Sequence, residues 1–177
     1  MHGNRDFLIG QSFCQRWGID LVDQPLLRPY QGGQVLILHG DQLCTDDIAY
    51  QRWRSKVRDP AWQQRMLCRP LWWRLSLARA ARLISRLRHH RQAPQDVTAA
   101  AVEDLMAAHQ AQLMIHGHTH RPAVHGELPL QRIVLSDWHA TLGSAVALTH
   151  GEAGDSVALL RLFREQDRVV LRVWDNS

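Results

Sequence analysis

His116-Gly117-His118-Thr119-His120-Arg121-Pro122 is the stretch on which the reading of the chain turns. It follows Leu113-Met114-Ile115, an apolar run that predicts a buried strand. Gly117 permits a sharp turn at the strand's end, and the i, i+2 spacing beyond it aims His118 and His120 into one cleft. Neutral imidazole is the commonest nitrogen donor to a catalytic metal. Pro122 is expected to stop the ladder. One His-x-His alone is as often polar surface as a site, so the reading depends on whether other parts of the chain bring further donors.

They do. Val35-Leu36-Ile37-Leu38 is uniformly apolar, as a central strand covered on both faces should be, and it ends at His39-Gly40-Asp41. Histidine and glycine thus recur at a strand's carboxyl end, where open α/β sheets place their ligands. Asp41 reads either as a ligand or as an acceptor that orients His39. Gln31-Gly32-Gly33 marks a turn before this strand, and Ile19 to Val22 reads as another short strand. Thr45-Asp46-Asp47 predicts a helix start with Thr45 as its cap. Gly3-Asn4-Arg5-Asp6 reads as a tight turn in which the Asn4 carbonyl oxygen suits a hard metal ion. Asp6 is expected to cap a helix from Phe7 to about Trp17, stopped by Gly18. Asn4, His39, His118 and His120 together form a mixed nitrogen and oxygen set suited to Mn²⁺, Fe²⁺ or Zn²⁺.

At 177 residues, 45% of them hydrophobic, the chain has the composition of a single globular domain with one substantial core. Its three cysteines, without a Cys-x-x-Cys spacing, indicate neither a disulfide framework nor a cysteine zinc module, and fit a reducing cytoplasm. No leader and no run of about 18 apolar residues is read, so any membrane contact is expected to be peripheral. The net charge of +4 hides an asymmetry: eight arginines and no acid lie between Pro60 and Gln95, leaving about −4 for the remainder.

Gly3-Asn4-Arg5-Asp6, His39-Gly40-Asp41 and Gly117-His118-Thr119-His120, in that order, resemble the later motifs of calcineurin-like metallophosphoesterases. The longer strings from Met1 to Gly10, Leu38 to Asp47 and Ile115 to His125 are more specifically similar to the UDP-2,3-diacylglucosamine pyrophosphatases of lipid A biosynthesis. The resemblance implies metal-dependent hydrolysis of UDP-2,3-diacylglucosamine to UMP and 2,3-diacylglucosamine 1-phosphate, with a metal-activated water as nucleophile and two Mn²⁺ ions as cofactor. Asn4, His39 and His118 would hold one ion and His120 the other. Asn4, Arg5, Asp47, Ser85 and His118 would contact substrate, with Arg5 stabilising phosphate, while Asp41 would stand behind the ligands. The family's earlier motifs, Asp-x-His and Gly-Asp-x-x-(Asp/Glu), do not occur before Asn4, and a longer protein that carries them upstream is expected. The alternatives are a catalytically inactive remnant or another calcineurin-like phosphoesterase.

Between Ala61 and about Arg91, Trp62, Met66, Leu67, Leu71, Trp72, Leu75, Leu83 and Leu87 fall at approximate helical spacing among the arginines. This predicts a helical cap, inserted at 60–95 within a domain spanning 1–177. The cap would meet acyl chains and the lipid surface on the cytoplasmic face of a Gram-negative inner membrane. No nucleic acid or protein partner is inferred. In the resembling family an Asn and a Lys follow Ser85; Arg88 or Arg91 stands nearest to replace the lysine's charge. Gln92-Ala-Pro-Gln-Asp96 reads as a connection and Thr98 as the start of a helix to Ala108. Strand signals follow near Arg132 to Leu135, Ala145 to Leu148, Val157 to Phe163 and Val169 to Trp174. His125, His139 and His150 receive no catalytic role. The fold expected is α/β, a two-sheet metallophosphoesterase sandwich flanked by helices, with its first strands missing.

Overall fold

A computed structural model describes all residues except 31, 90–95, 128–129, 150–155, 166–167 and 174–177; for 84–89, 164–165 and 168 only the backbone is described. The fold is mixed α/β with two sheets. Five strands form the first sheet: β1 (Leu26–Tyr30), β2 (Gly33–Leu38), β3 (Ala111–His116), β4 (Ala123–His125) and β5 (Gln131–Val134), in the order β1-β2-β3-β5-β4. The central strands β2, β3 and β5 run parallel, with Leu38 opposite His116 and His116 opposite Val134. Strands β1 and β4 close the two edges antiparallel. The second sheet is an antiparallel meander of β6 (Leu142–Thr149), β7 (Ser156–Glu165) and β8 (Arg168–Val173).

Period-2 alternation along the central strands builds two cores from one sheet. Leu36, Leu38 and Met114 point to one face, joined by Ala111 across a register shift at the start of β3, and Val102 and Met106 of α5 (Ala99–Ala108) cover them together with Leu43. Val35, Leu113, Ile115 and Ile133 point to the other and pack with Leu159 of β7, while Val146 and Val157 border the same cluster. The second sheet therefore shares a core with the first. Side chains buried on both faces account for the uninterrupted apolar character of Val35 to Leu38 and Leu113 to Ile115.

The helices are α1 (Gln11–Arg16), α2 (Ile48–Arg58), α3 (Pro60–Leu67), α4 (Leu71–His89) and α5. The expected helical pair over the arginine-rich segment thus forms as α3 and α4; Ser85 and Arg88 lie on α4 with their side chains outside the described set, and Arg91 and the expected connection at 92–95 lie outside the described residues. No helix among the described residues is long and apolar enough to cross a membrane.

Several local expectations are corrected. Helix α1 begins after Gly10, not at Asp6, whose carbonyl instead accepts from the Ile9 amide in a tight turn. Gly18 does end it, at φ +62. Ile19 to Val22 is not a strand; the partner of β2 is Leu26–Tyr30, which tolerates Pro29 because it is the sheet's edge. Thr45 does not cap α2. Asp47 does, its Oδ1 accepting from the Tyr50 amide at 2.9 Å, while the Thr45 hydroxyl bonds Thr98. Pro122 is not what stops the ladder: β3 ends at His116, six residues earlier, and β4 starts directly after the proline, at Ala123.

Candidate active site

The carboxyl ends of β2 and β3 lie side by side, and backbone hydrogen bonds lock their exits together. The Gly117 amide donates to the His39 carbonyl at 3.0 Å, and the Leu135 amide to the His116 carbonyl at 2.7 Å. On the other side of β2's exit, the His39 amide donates to Gln24 Oε1 at 2.9 Å. Gly40 is required at this seam. It sits at φ +105, and a Cβ there would come within 2.9 Å of His116 Nδ1 and 3.2 Å of the Gly117 carbonyl.

From these exits His39 and His118 converge, with His118 Nδ1 3.3 Å from His39 Nε2 and ring centroids 5.0 Å apart. His118 and His120 both adopt left-handed backbone, at φ +67 and +54. Non-glycine residues rarely do so, and such strain concentrates at functional sites. Burial pushes His118 down to about 4, with His39 adding to the shift, and burial also lowers His39 against the opposing pull of Asp41. Both imidazoles are therefore neutral near pH 7 and keep a lone pair. Two nitrogens bound about 2.1 Å from one metal, at angles between octahedral and tetrahedral, are roughly 3.0 to 3.4 Å apart. The observed pair fits a shared ion.

The other residues expected as donors are less closely gathered. Asn4 and Arg5 lie exposed on a bend that Gly3 brings against His39; a Cβ at Gly3 would be 3.4 Å from His39 Cε1. Arg5 lines an open depression with Asp6, Leu8, Ile9 and Phe13. His120 is more than half exposed, and its Nδ1 lies 3.4 Å from Asp137 Oδ2, which also takes His139 Nε2 at 2.7 Å. Among the described residues no group of three or more His, Cys, Asp or Glu side chains is gathered as a metal site.

Asp41 is fully buried, and its bonds go to α2 rather than to His39. Its Oδ2 accepts from Arg58 Nη2 at 3.0 Å and from the Tyr50 hydroxyl at 3.3 Å, and forms an ion pair with Arg54, whose Nε lies 3.0 Å away. Burial raises its carboxyl, but Arg54, His39 and Arg58 outweigh this and hold it below the ordinary carboxylate range. Tyr50 is raised in turn, by burial and by Asp41. Its ring lies 5.6 Å from that of His118, so it walls the histidine pair. Tyr50, Arg54 and Arg58 were not singled out from the sequence. Their i, i+4, i+8 spacing puts them on one helix face, the signal that could have found them.

His116, though first in the histidine run, points into the core and is fully buried. Its Nδ1 donates to the Gly117 carbonyl at 2.9 Å and its Nε2 accepts from Arg132 at 3.1 Å, which fixes the tautomer. It supports the turn from below.

No family model matches the chain. Curated relatives do. The chain is 46% identical over 154 residues to a UDP-2,3-diacylglucosamine hydrolase of Chromobacterium violaceum, covering 85% of the chain and 65% of the relative. It is 45% identical over 169 residues to that of Marinobacter nauticus, covering 88% and 69%. With that of Chromohalobacter salexigens it shares 43% over 175 residues, covering 95% and 69%. The chain thus spans about two thirds of the length of these relatives. An identity of this size across nearly all of the chain means that the chain belongs to the UDP-2,3-diacylglucosamine hydrolase family.

Proposed function

We propose that the protein hydrolyses the pyrophosphate of UDP-2,3-diacylglucosamine in lipid A biosynthesis. Water attacks the α-phosphorus and the bond to the bridging oxygen breaks, giving UMP and 2,3-diacylglucosamine 1-phosphate. The observation that carries this reading is the convergence of two neutral imidazoles, His39 and His118, from adjacent strand ends in a chain whose relatives are named for this substrate. Asn4, His39 and His118 are the donors to one Mn²⁺ and His120 to a second. When bound, such ions supply Lewis acidity at phosphoryl oxygens and lower the pKa of water.

The chain's own residues bind and orient. Arg5, on the exposed bend beside the histidines, offers its planar fork to phosphate oxygens. Asp47 spends Oδ1 on the α2 cap and keeps Oδ2 for a sugar or amide donor. Ser85 is a substrate contact from α4. His118, neutral and walled by Tyr50, stays a donor of electrons to a cation and does not repel it. Helices α3 and α4 act as the cap: Leu71, Trp72, Leu75, Leu77 and Leu83 are exposed on an arginine-rich helix without an acid, the chemistry of an acyl chain and an anionic inner-membrane surface.

The test is UMP release from acylated substrate by the purified protein with Mn²⁺. His118→Ala and His120→Ala are each expected to abolish it with an unchanged circular dichroism spectrum. No release by the parent protein refutes the reading. Equal turnover of a deacylated analogue points instead to another phosphoesterase specificity.

A further inference from the structure

Asp41 carries more positive charge than its neutralisation requires. One buried carboxylate is compensated by one guanidinium, and leaving it unpaired is costly. Arg54 already meets Oδ2 at 3.0 Å. Arg58 meets the same oxygen at 3.0 Å, while Oδ1 is buried without a hydrogen-bond partner. What Arg58 adds lies on its other side: the same Nη2 also donates to the carbonyls of His2, at 3.2 Å, and Gly3, at 3.3 Å. Arg54 makes no such reach and bonds Gln42 Oε1 instead.

The bend held this way is the one that carries Asn4 and Arg5. It is exposed, and its backbone has few other ties: His2 Nε2 meets the Ile9 carbonyl at 2.7 Å, and Phe7 packs on Trp53 and Trp62 beyond it. Gly3 is pressed between Asp6 and His39, so a small shift of the bend moves Asn4 relative to His39. Exposed backbone with few contacts sits at the low-stability end of a protein unless fastened.

We infer that Arg58 is a positioning residue, which uses the buried Asp41 carboxylate as its anchor to fasten the Gly3-Asn4-Arg5 bend beside His39. The consequence for ligand binding rests on the function proposed above; the fastening itself does not. Arg54 supplies the control, because it shares Asp41 and does not touch the bend. Arg54→Met and Arg58→Met each remove one guanidinium from Asp41 and should both lower the melting temperature. Only Arg58→Met should speed amide hydrogen exchange at Asn4, Arg5 and Asp6, by about tenfold. Only it should weaken UMP affinity in the presence of Mn²⁺, again by about tenfold. Arg58→Lys retains a cation for Asp41 should the Met variant not fold, and is expected to recover melting temperature without recovering slow exchange. Equal exchange at the bend in the Arg54 and Arg58 variants, or unchanged exchange in Arg58→Met and Arg58→Lys, overturns the inference. Parent protein that binds no UMP while the exchange difference persists overturns the proposed function and leaves the fastening standing.

Discussion

At the scale of single residues, the paired turns that carry His39 and His118 depend on groups packed behind them. Gly40→Ala would put a Cβ 2.9 Å from His116 Nδ1 at a φ of +105, so both sterics and backbone oppose it. A loss of about 2–3 kcal/mol in urea unfolding is expected, and a variant as stable as the parent would show that the two turns do not pack this way. His116 makes stability depend on pH. Burial holds it down to about 4, against the Gly117 carbonyl and with Arg132 adding to the effect, while Asp96 pulls it up and His125 pushes it down. An unfolded histidine titrates near 6.5, so between these values the unfolded chain binds the extra proton. Stability is fully present above about pH 6.5 and is lost as pH falls toward 4, by about 3 kcal/mol if no other group compensates. Denaturant midpoints of the metal-free protein, in chelator, should fall over that window, and His116→Gln should reduce the fall but not remove it, because burial also lowers His118 and His39. The histidine run was legible as a cluster at a strand's end, yet not which of its members faces the core. His116 and His118 have the same chemistry two positions apart, and only the left-handed backbone at His118 and His120, which local sequence does not dictate, turns the latter two outward.

At the scale of elements, α2 serves as the wall of the site and as its brace. Its N-terminus is capped by Asp47, so Asp47→Ala should cost about 1 kcal/mol in thermal or urea unfolding. Asp47→Ser restores a capping oxygen but places no carboxylate where a substrate donor would meet one. If Asp47 has both roles, Ser should recover most of the stability while the KM for UDP-2,3-diacylglucosamine remains raised; recovery of both would confine Asp47 to the cap. The elements that the sequence revealed well are those with one dominant signal. β2 and β3 are apolar on both faces, and α5, from Ala99, is built mostly of good helix formers. The failures are places where two signals compete. Leu26–Tyr30 contains Arg28 and Pro29, which argue against a strand until its edge position is known. Three residues, Thr45, Asp46 and Asp47, could each have capped α2; the helix begins at Ile48, which makes Asp47 the cap, while the Thr45 hydroxyl donates to Thr98, 53 residues along the chain. Such a partner has no local trace.

At the scale of the whole molecule, charge and apolar surface are distributed unevenly in a way that composition averages hide. The net charge is only +4, but the segment from Pro60 to Gln95 carries eight arginines and no acid. There α4 exposes Leu71, Trp72, Leu75, Leu77 and Leu83, and among the described residues neither core cluster includes a side chain from this helix. A helix whose leucines are neither buried nor few is costly to keep in water, whereas at a lipid boundary tryptophan sits among headgroups and each nearby arginine is worth about 1 kcal/mol against an anionic surface. Co-sedimentation should therefore capture the protein on vesicles containing anionic lipid and much less on neutral ones, with binding that weakens as salt rises. Trp72→Ser with Leu75→Ser removes two apolar anchors worth roughly 1.5–3 kcal/mol each if fully inserted, so affinity should fall by at least about tenfold while the secondary structure is kept. Binding indifferent to both substitutions but abolished by salt would assign the contact to the arginines alone, and absence of binding to either vesicle would leave these leucines to an acyl chain rather than to a membrane.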